Sequence, residues 1–189
     1  MALGRFRRTR SGVIQLTLGA DEHGVLQHVL GEMTELLAES RDADGDDLDE
    51  DDPLARALGI GTATEAPEDP ALARLFPDGY ADDAEASADF RRYTEPGLRS
   101  TKSEALATAL ATMAEVPHRL ALTPEQTMAW LSALNDTRLV LGERLGVTED
   151  LDELVSSLVP DDPRLALLWV YDRLSYLQES LVEALADDL

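Results

Sequence analysis

The 189 residues are 44% hydrophobic and 29% charged, which is ample for a packed core and close to the size of one domain. Thirty-eight acidic side chains against 16 basic give a net charge of -22, which repels phosphate and argues against nucleic acids and anionic membranes as partners. There is no cysteine, so disulfides, thiolate catalysis and cysteine-ligated zinc are excluded.

Phe6 to Thr9 and Val13 to Leu18 flank Arg10-Ser11-Gly12, the pattern of two strands joined by a hairpin. The basic opening MALGRFRRTR resembles the start of a signal peptide, but the alternation from Ile14 to Leu18 reads as a strand rather than an apolar leader core. Leu26, Val29, Leu30, Met33, Leu36 and Leu37 recur at helical spacing and predict a helix from about Asp21 to Glu39. Residues 42–52, DADGDDLDEDD, hold eight acids and one large apolar side chain, so a mobile acidic loop is expected over 41–53. Short helical pieces follow around Leu54 to Leu58 and Leu72 to Phe76, then a modest helix from Ala84 to Tyr93. Pro96 fits the first turn of a separate helix reaching about Glu115 on the stripe Leu98, Ala105, Leu106, Ala109, Leu110 and Met113.

His118 to Leu122 is short and apolar and reads as a third strand. Thr123-Pro124-Glu125-Gln126 carries a capping Thr, a Pro at the first helical position and a Gln placed to close a capping box. The helix it opens should end at Leu145, with Gly146 as terminator. Thr148 caps a shorter acidic helix before Pro160, and Asp162-Pro163 opens a last helix with Leu167, Val170, Leu174, Leu177 and Leu181 on one face. The longest apolar run, Leu165 to Tyr171, is only seven residues, too short to span a bilayer. The sum is a mainly α (α+β) single domain over 1–189. It would hold six to eight helices and a small antiparallel sheet formed by the N-terminal hairpin and the segment near 118–122.

The chemistry-bearing patterns are few. Residues 137–158 resemble a helix-turn-helix, yet the second helix begins Glu149-Asp150-Leu151-Asp152-Glu153 and would aim carboxylates at phosphates. Aligning Asp42, Asp44 and Gly45 with positions 3, 5 and 6 of a calcium loop puts Ser40 at position 1, Asp47 at the apolar position and Asp51 where Glu belongs. A solvated loop is the better reading. His23 and His28 lie about 140° apart on a helix and would not share a metal. No nucleophile elbow, phosphate loop or zinc motif occurs, so neither a cofactor nor catalysis is expected.

Arg138 is the exception. It falls between Leu134 and Leu141 on an otherwise apolar helix face and must find an acceptor or reach the rim. Asp172, which interrupts an apolar stretch of the last helix, is a candidate partner for a structural bridge. Alternatively Trp130, Asn135 and Arg138 line a partner-binding pocket. Arg5, Arg7, Arg8 and Arg10, with Arg91, Arg92 and Arg99 beside Tyr93, pair either with the acidic run in cis or with an acidic partner in trans.

The strings DPALARLFPDGY, FRRYTEPGLRSTK, LTPEQTMAWLSALNDTRLVLGERLGV and YDRLSYLQESLVEAL together resemble the bacterial family called domain of unknown function 2017. The resemblance spans the chain from hairpin to last helix, with the acidic run as its variable part. It implies no established activity and no catalytic residues. Members are sometimes labelled transcriptional regulators, and their genes tend to lie beside one for a substrate adaptor of the Clp protease, which implies a role in proteostasis. A cytoplasmic, non-enzymatic regulatory protein with a protein partner, and a homodimer as an open alternative, is therefore the expected reading. A transcriptional regulator, which would need a basic surface built from Arg5, Arg7, Arg8, Arg10, Arg91 and Arg92, is the runner-up. An enzyme comes third.

Overall fold

The structure, a computed structural model, describes residues 4–44, 54, 59–114, 119–148, 154–156 and 158–186; the side chains of 41–44 are not included. Strands β1 (Arg5–Arg8) and β2 (Ile14–Thr17) form the expected hairpin. Thr9 N–H donates to the Val13 carbonyl at 2.9 Å, and Gly12, at φ +85°, takes the left-handed turn position that a Cβ disfavours. Strand β3 (Arg119–Leu122) joins β2 antiparallel, giving the order β1-β2-β3. The register places Arg5, Thr17 and Arg119 in one row and Arg7, Gln15 and Ala121 in another. The alternate rows bury Phe6, Ile14, Leu16, Leu120 and Leu122.

Five helices have described bounds: α1 (Ala20–Asp44), α2 (Pro70–Leu75), α3 (Ala84–Ala114), α4 (Pro124–Leu145) and α5 (Arg164–Ala186). The mainly helical architecture with a small three-stranded sheet is as read from the sequence, while the helix count is below the expected range. The piece at Leu54 to Leu58, the helix after Thr148, the calcium alignment and the acidic run lie wholly or largely outside the described residues.

The count also falls because the two helices expected at 84–93 and from Pro96 onward are one, with Pro96 inside it. Proline has no N–H, so the Arg92 carbonyl one turn earlier loses its helical donor. Gly61 N–H supplies the replacement at 2.7 Å, and Arg92 Nε donates back to the Gly61 carbonyl at 3.3 Å. A tertiary contact thus carries the helix through a residue that usually ends one.

Helix α4 begins as its sequence requires. Thr123 Oγ1 accepts from Gln126 N–H at 3.2 Å, Gln126 Oε1 accepts from Thr123 N–H at 2.9 Å, and Gly146 closes the helix at φ +67°, ψ +36°. Around Trp130, the inner faces of all five helices and the sheet form one apolar cluster. Trp130 meets Phe6 edge-on, with ring centroids 5.7 Å apart, and satisfies its indole by donating to Thr112 Oγ1 at 2.9 Å. Among the described residues, no helix is long and apolar enough to cross a membrane.

Candidate functional site

Three polar constructions interrupt this core. The first is a ladder on α3 in which Arg91, Glu95 and Arg99 follow one another at four-residue spacing and are all buried. Glu95 accepts from Arg91 Nη1 and, at 3.0 and 2.7 Å, from Arg99 Nε and Nη2. Arg91 Nη2 also reaches Asp78 at 2.8 Å and the Phe76 carbonyl at 3.1 Å. Arg99 donates to Ser40 Oγ on α1 at 2.6 Å and stacks 4.3 Å over the Phe76 ring. Burial would lower the Arg91 pKa, but hydrogen bonds to Asp78 and Glu95 outweigh it and hold the guanidinium above its ordinary value. The ladder therefore ties α3 to α1 and to the end of α2.

The second construction secures the sheet. Glu22 accepts from Gly4 N–H at 3.1 and 3.0 Å, from Gly19 N–H at 2.9 Å and from Arg173 Nε at 2.7 Å. Arg173 also donates to the Gly4 carbonyl, and its guanidinium lies 4.8 Å over Tyr176. Desolvation would raise the Glu22 pKa; the two backbone N–H bonds and Arg173 prevail and leave it below the ordinary carboxylate value. Only glycine fits at position 4, because a Cβ there would sit 2.6 Å from the Thr17 carbonyl and 2.7 Å from Glu22.

The third lies along the seam between α4 and α5. Gly142 faces the Tyr171 ring and Asn135 Oδ1 accepts from Gln178 Nε2 at 3.4 Å, so the helices run antiparallel in a register that holds over two turns. Arg138 is half-buried in this seam. Its Nε and the Gln178 Oε1 are shielded from solvent without a hydrogen-bond partner. Along the same seam Met128, seven residues before Asn135, Leu139, four after it, and Val182, four after Gln178, are exposed.

The residues singled out in the sequence separate accordingly. Trp130 is fully buried and belongs to the core, while Asn135 and Arg138 come together in the seam. No ion pair joins Arg138 to Asp172, which points to solvent; the next residue, Arg173, is the one that turns inward and finds a carboxylate. Of the six arginines a DNA-binding surface would need, Arg91 is buried in the ladder and is withdrawn from the surface. Glu95, Glu22, Arg173 and Gln178 escaped sequence reading. The spacing of Arg91, Glu95 and Arg99 would have revealed the ladder had Pro96 not been read as a helix start. Among the described residues, no group of three or more His, Asp or Glu side chains is placed to hold a metal ion.

The family is marked by its sequence rather than by a known reaction: the chain is a member of Domain of unknown function (DUF2017), which it matches over residues 3–185. It is 34% identical over 178 residues to the "Putative oxidative stress regulator AosR" of Mycobacterium leprae, covering 87% of this chain and 78% of that protein. It is also 33% identical over 189 residues to the "Oxidative stress regulator AosR" of Mycobacterium bovis and of Mycobacterium tuberculosis, covering 92% of this chain and 83% of each. No solved structure matches the chain.

Proposed function

We propose that this protein is a non-enzymatic regulator that acts by docking another protein on the α4–α5 seam. The observation that carries the reading is the pair of buried, unpartnered polar atoms, Arg138 Nε and Gln178 Oε1, bordered by exposed Met128, Leu139 and Val182. Shielded polar groups are normally paired. Arg91 Nε and Asp136 Oδ2 are also without a partner but belong to side chains already ion-paired, whereas Arg138 Nε and Gln178 Oε1 would gain an acceptor and a donor if a partner opened the seam. Apolar side chains around a few polar anchors are the usual anatomy of a protein contact.

The relatives' names point to regulation in the response to oxidants. Because the 189 residues hold no cysteine, an oxidant signal would reach this chain through its partner or through methionine, not through a thiol of its own. A setting in the cytoplasm, near Clp-type proteolysis, is consistent with the family resemblance. DNA binding is the weaker reading: the chain carries -22 and Arg91 is sequestered.

The test is a crosslinked pull-down of wild type and Arg138→Glu, each with and without nuclease. A protein captured by wild type and lost by a variant that melts normally supports the reading. Capture indifferent to the substitution, or recovery of nucleic acid that nuclease abolishes, overturns it. Self-association would appear as capture of untagged chain.

A further inference from the structure

The two edges of the sheet are finished differently. Phe6 N–H donates to Ser180 Oγ on α5 at 3.1 Å, so Phe6 turns its backbone away from β2. Backbone direction alternates along each strand, so Leu16 and Ile14 face β3, and Leu120 and Leu122 face back. The N–H and C=O of Arg119 and Ala121 then point outward. On the β1 edge Gly4 and Phe6 are closed off by Glu22, Arg173 and Ser180. Among the described residues, no hydrogen bond reaches the outward groups of Arg119 or Ala121, and both residues are exposed. β3 is an open edge, a feature natural sheets usually cover or blunt.

The outer face of the same sheet is basic. Its two rows, Arg5-Thr17-Arg119 and Arg7-Gln15-Ala121, contain three arginines and no acid. None of these arginines makes an ion pair among the described residues. On the β1 side, Arg5 and Arg7 border a cleft of about 310 Å³ whose far wall carries Glu179 and Glu183. Those carboxylates repel an anion there and leave the β3 side as its approach.

We propose that β3 receives an acidic, extended segment of a partner protein, which adds as a fourth strand through the backbone of Arg119 and Ala121 and lays a carboxylate beside Arg119, with Arg5 and Arg7 farther across the face on β1 adding only longer-range attraction. The alternation of strand side chains requires the partner to alternate too, acidic toward the outer face and apolar beside Leu120 and Leu122. A second copy paired edge to edge through β3 would instead bring two basic faces together without counter-charge, which disfavours it. This surface is separate from the α4–α5 seam and does not depend on it.

The probe is a short fluorescein-labelled peptide alternating Glu and Val, with a Lys–Val peptide as control, read by anisotropy and by amide exchange at Arg119 and Ala121. The Glu–Val peptide should bind, more weakly as salt rises, and slow exchange at both amides. Ala121→Pro removes an edge N–H that the fold does not use, and Arg119→Glu reverses the charge beside the added strand. Each should weaken binding about tenfold or more, while Arg138→Glu leaves it unchanged. Should Ala121→Pro fail to fold, Arg119→Glu alone decides. Unchanged exchange at millimolar peptide, equal binding of the Lys–Val peptide, or protected edge amides in a free chain that sediments as a dimer would overturn the proposal.

Discussion

Replacing Glu95 with Ala tests whether the α3 ladder holds the fold or merely decorates it. The carboxylate is 3% exposed and receives three donors from two guanidiniums that are themselves buried. Removing one member of a buried ion group leaves uncompensated charge and costs about 3–5 kcal/mol. Two features place this site at the lower end. Arg91 keeps Asp78 and the Phe76 carbonyl, and Arg99 keeps Ser40 and the Phe76 ring. We therefore expect about 3 kcal/mol, and a fall in Tm of roughly 6–12 °C for a chain of this size. Urea and thermal unfolding followed by circular dichroism measure both. Glu95→Gln retains one acceptor oxygen and should fall between wild type and Ala. Replacing Arg91, Glu95 and Arg99 together with Met should cost far less than Glu95→Ala, because no charge is stranded. A loss below about 1 kcal/mol for Glu95→Ala, the range of an exposed pair, would refute the reasoning.

The Glu22 carboxylate has a folded pKa below its ordinary 4.5, so its bonds stabilise the fold above that pH and are lost as pH falls through the folded value. Glu22→Gln should lower stability at neutral pH and flatten the acid limb below about 4.5; an acid limb parallel to wild type would count against the assignment. Gly4→Ala drives a Cβ into the Thr17 carbonyl and should cost about 1–3 kcal/mol, whereas an unchanged midpoint would mean that Glu22 and β1 yield freely. Met128 is 56% exposed while Met33 and Met113 are 3% and 1%, so peptide mapping after mild peroxide should find sulfoxide at Met128 before Met33 and Met113. Equal oxidation of all three would contradict the packing.

What could be read in the sequence was what local chemistry decides. The hairpin, the third strand and the capping box ahead of α4 depend on nearest neighbours, and all appear where expected. Helix α3 defeated that logic because the donor replacing the missing N–H of Pro96 comes from Gly61, 31 residues away along the chain from Arg92. For Arg138, between Leu134 and Leu141, periodicity offers Asp172 as a partner, yet no ion pair joins the two. On α5, Asp172 and Arg173 differ by one residue and about 100° of rotation, enough to send one to solvent and the other to Glu22. A polar residue within an apolar stretch announces a partner without saying which direction it faces.

The charge balance acquires a different meaning once the cations are placed. A net -22 suggests an acidic surface relieved by scattered arginines. Instead Arg91, Arg99 and Arg173 lie inside, and Lys102 is mostly buried against Asp136 at 2.8 Å, each joined to a carboxylate that would otherwise stand alone. Because Glu95, Glu22 and Asp136 are withdrawn with those cations, the net charge of the remaining surface hardly changes, but fewer cations are left on it, so a patch that keeps unpaired arginines stands out electrostatically. The outer face of the sheet is such a patch, and its open edge supplies backbone groups that point charges alone do not. Attraction by the face and register by the edge meet at Arg119. Salt should therefore change how fast an acidic strand arrives more than how it is aligned.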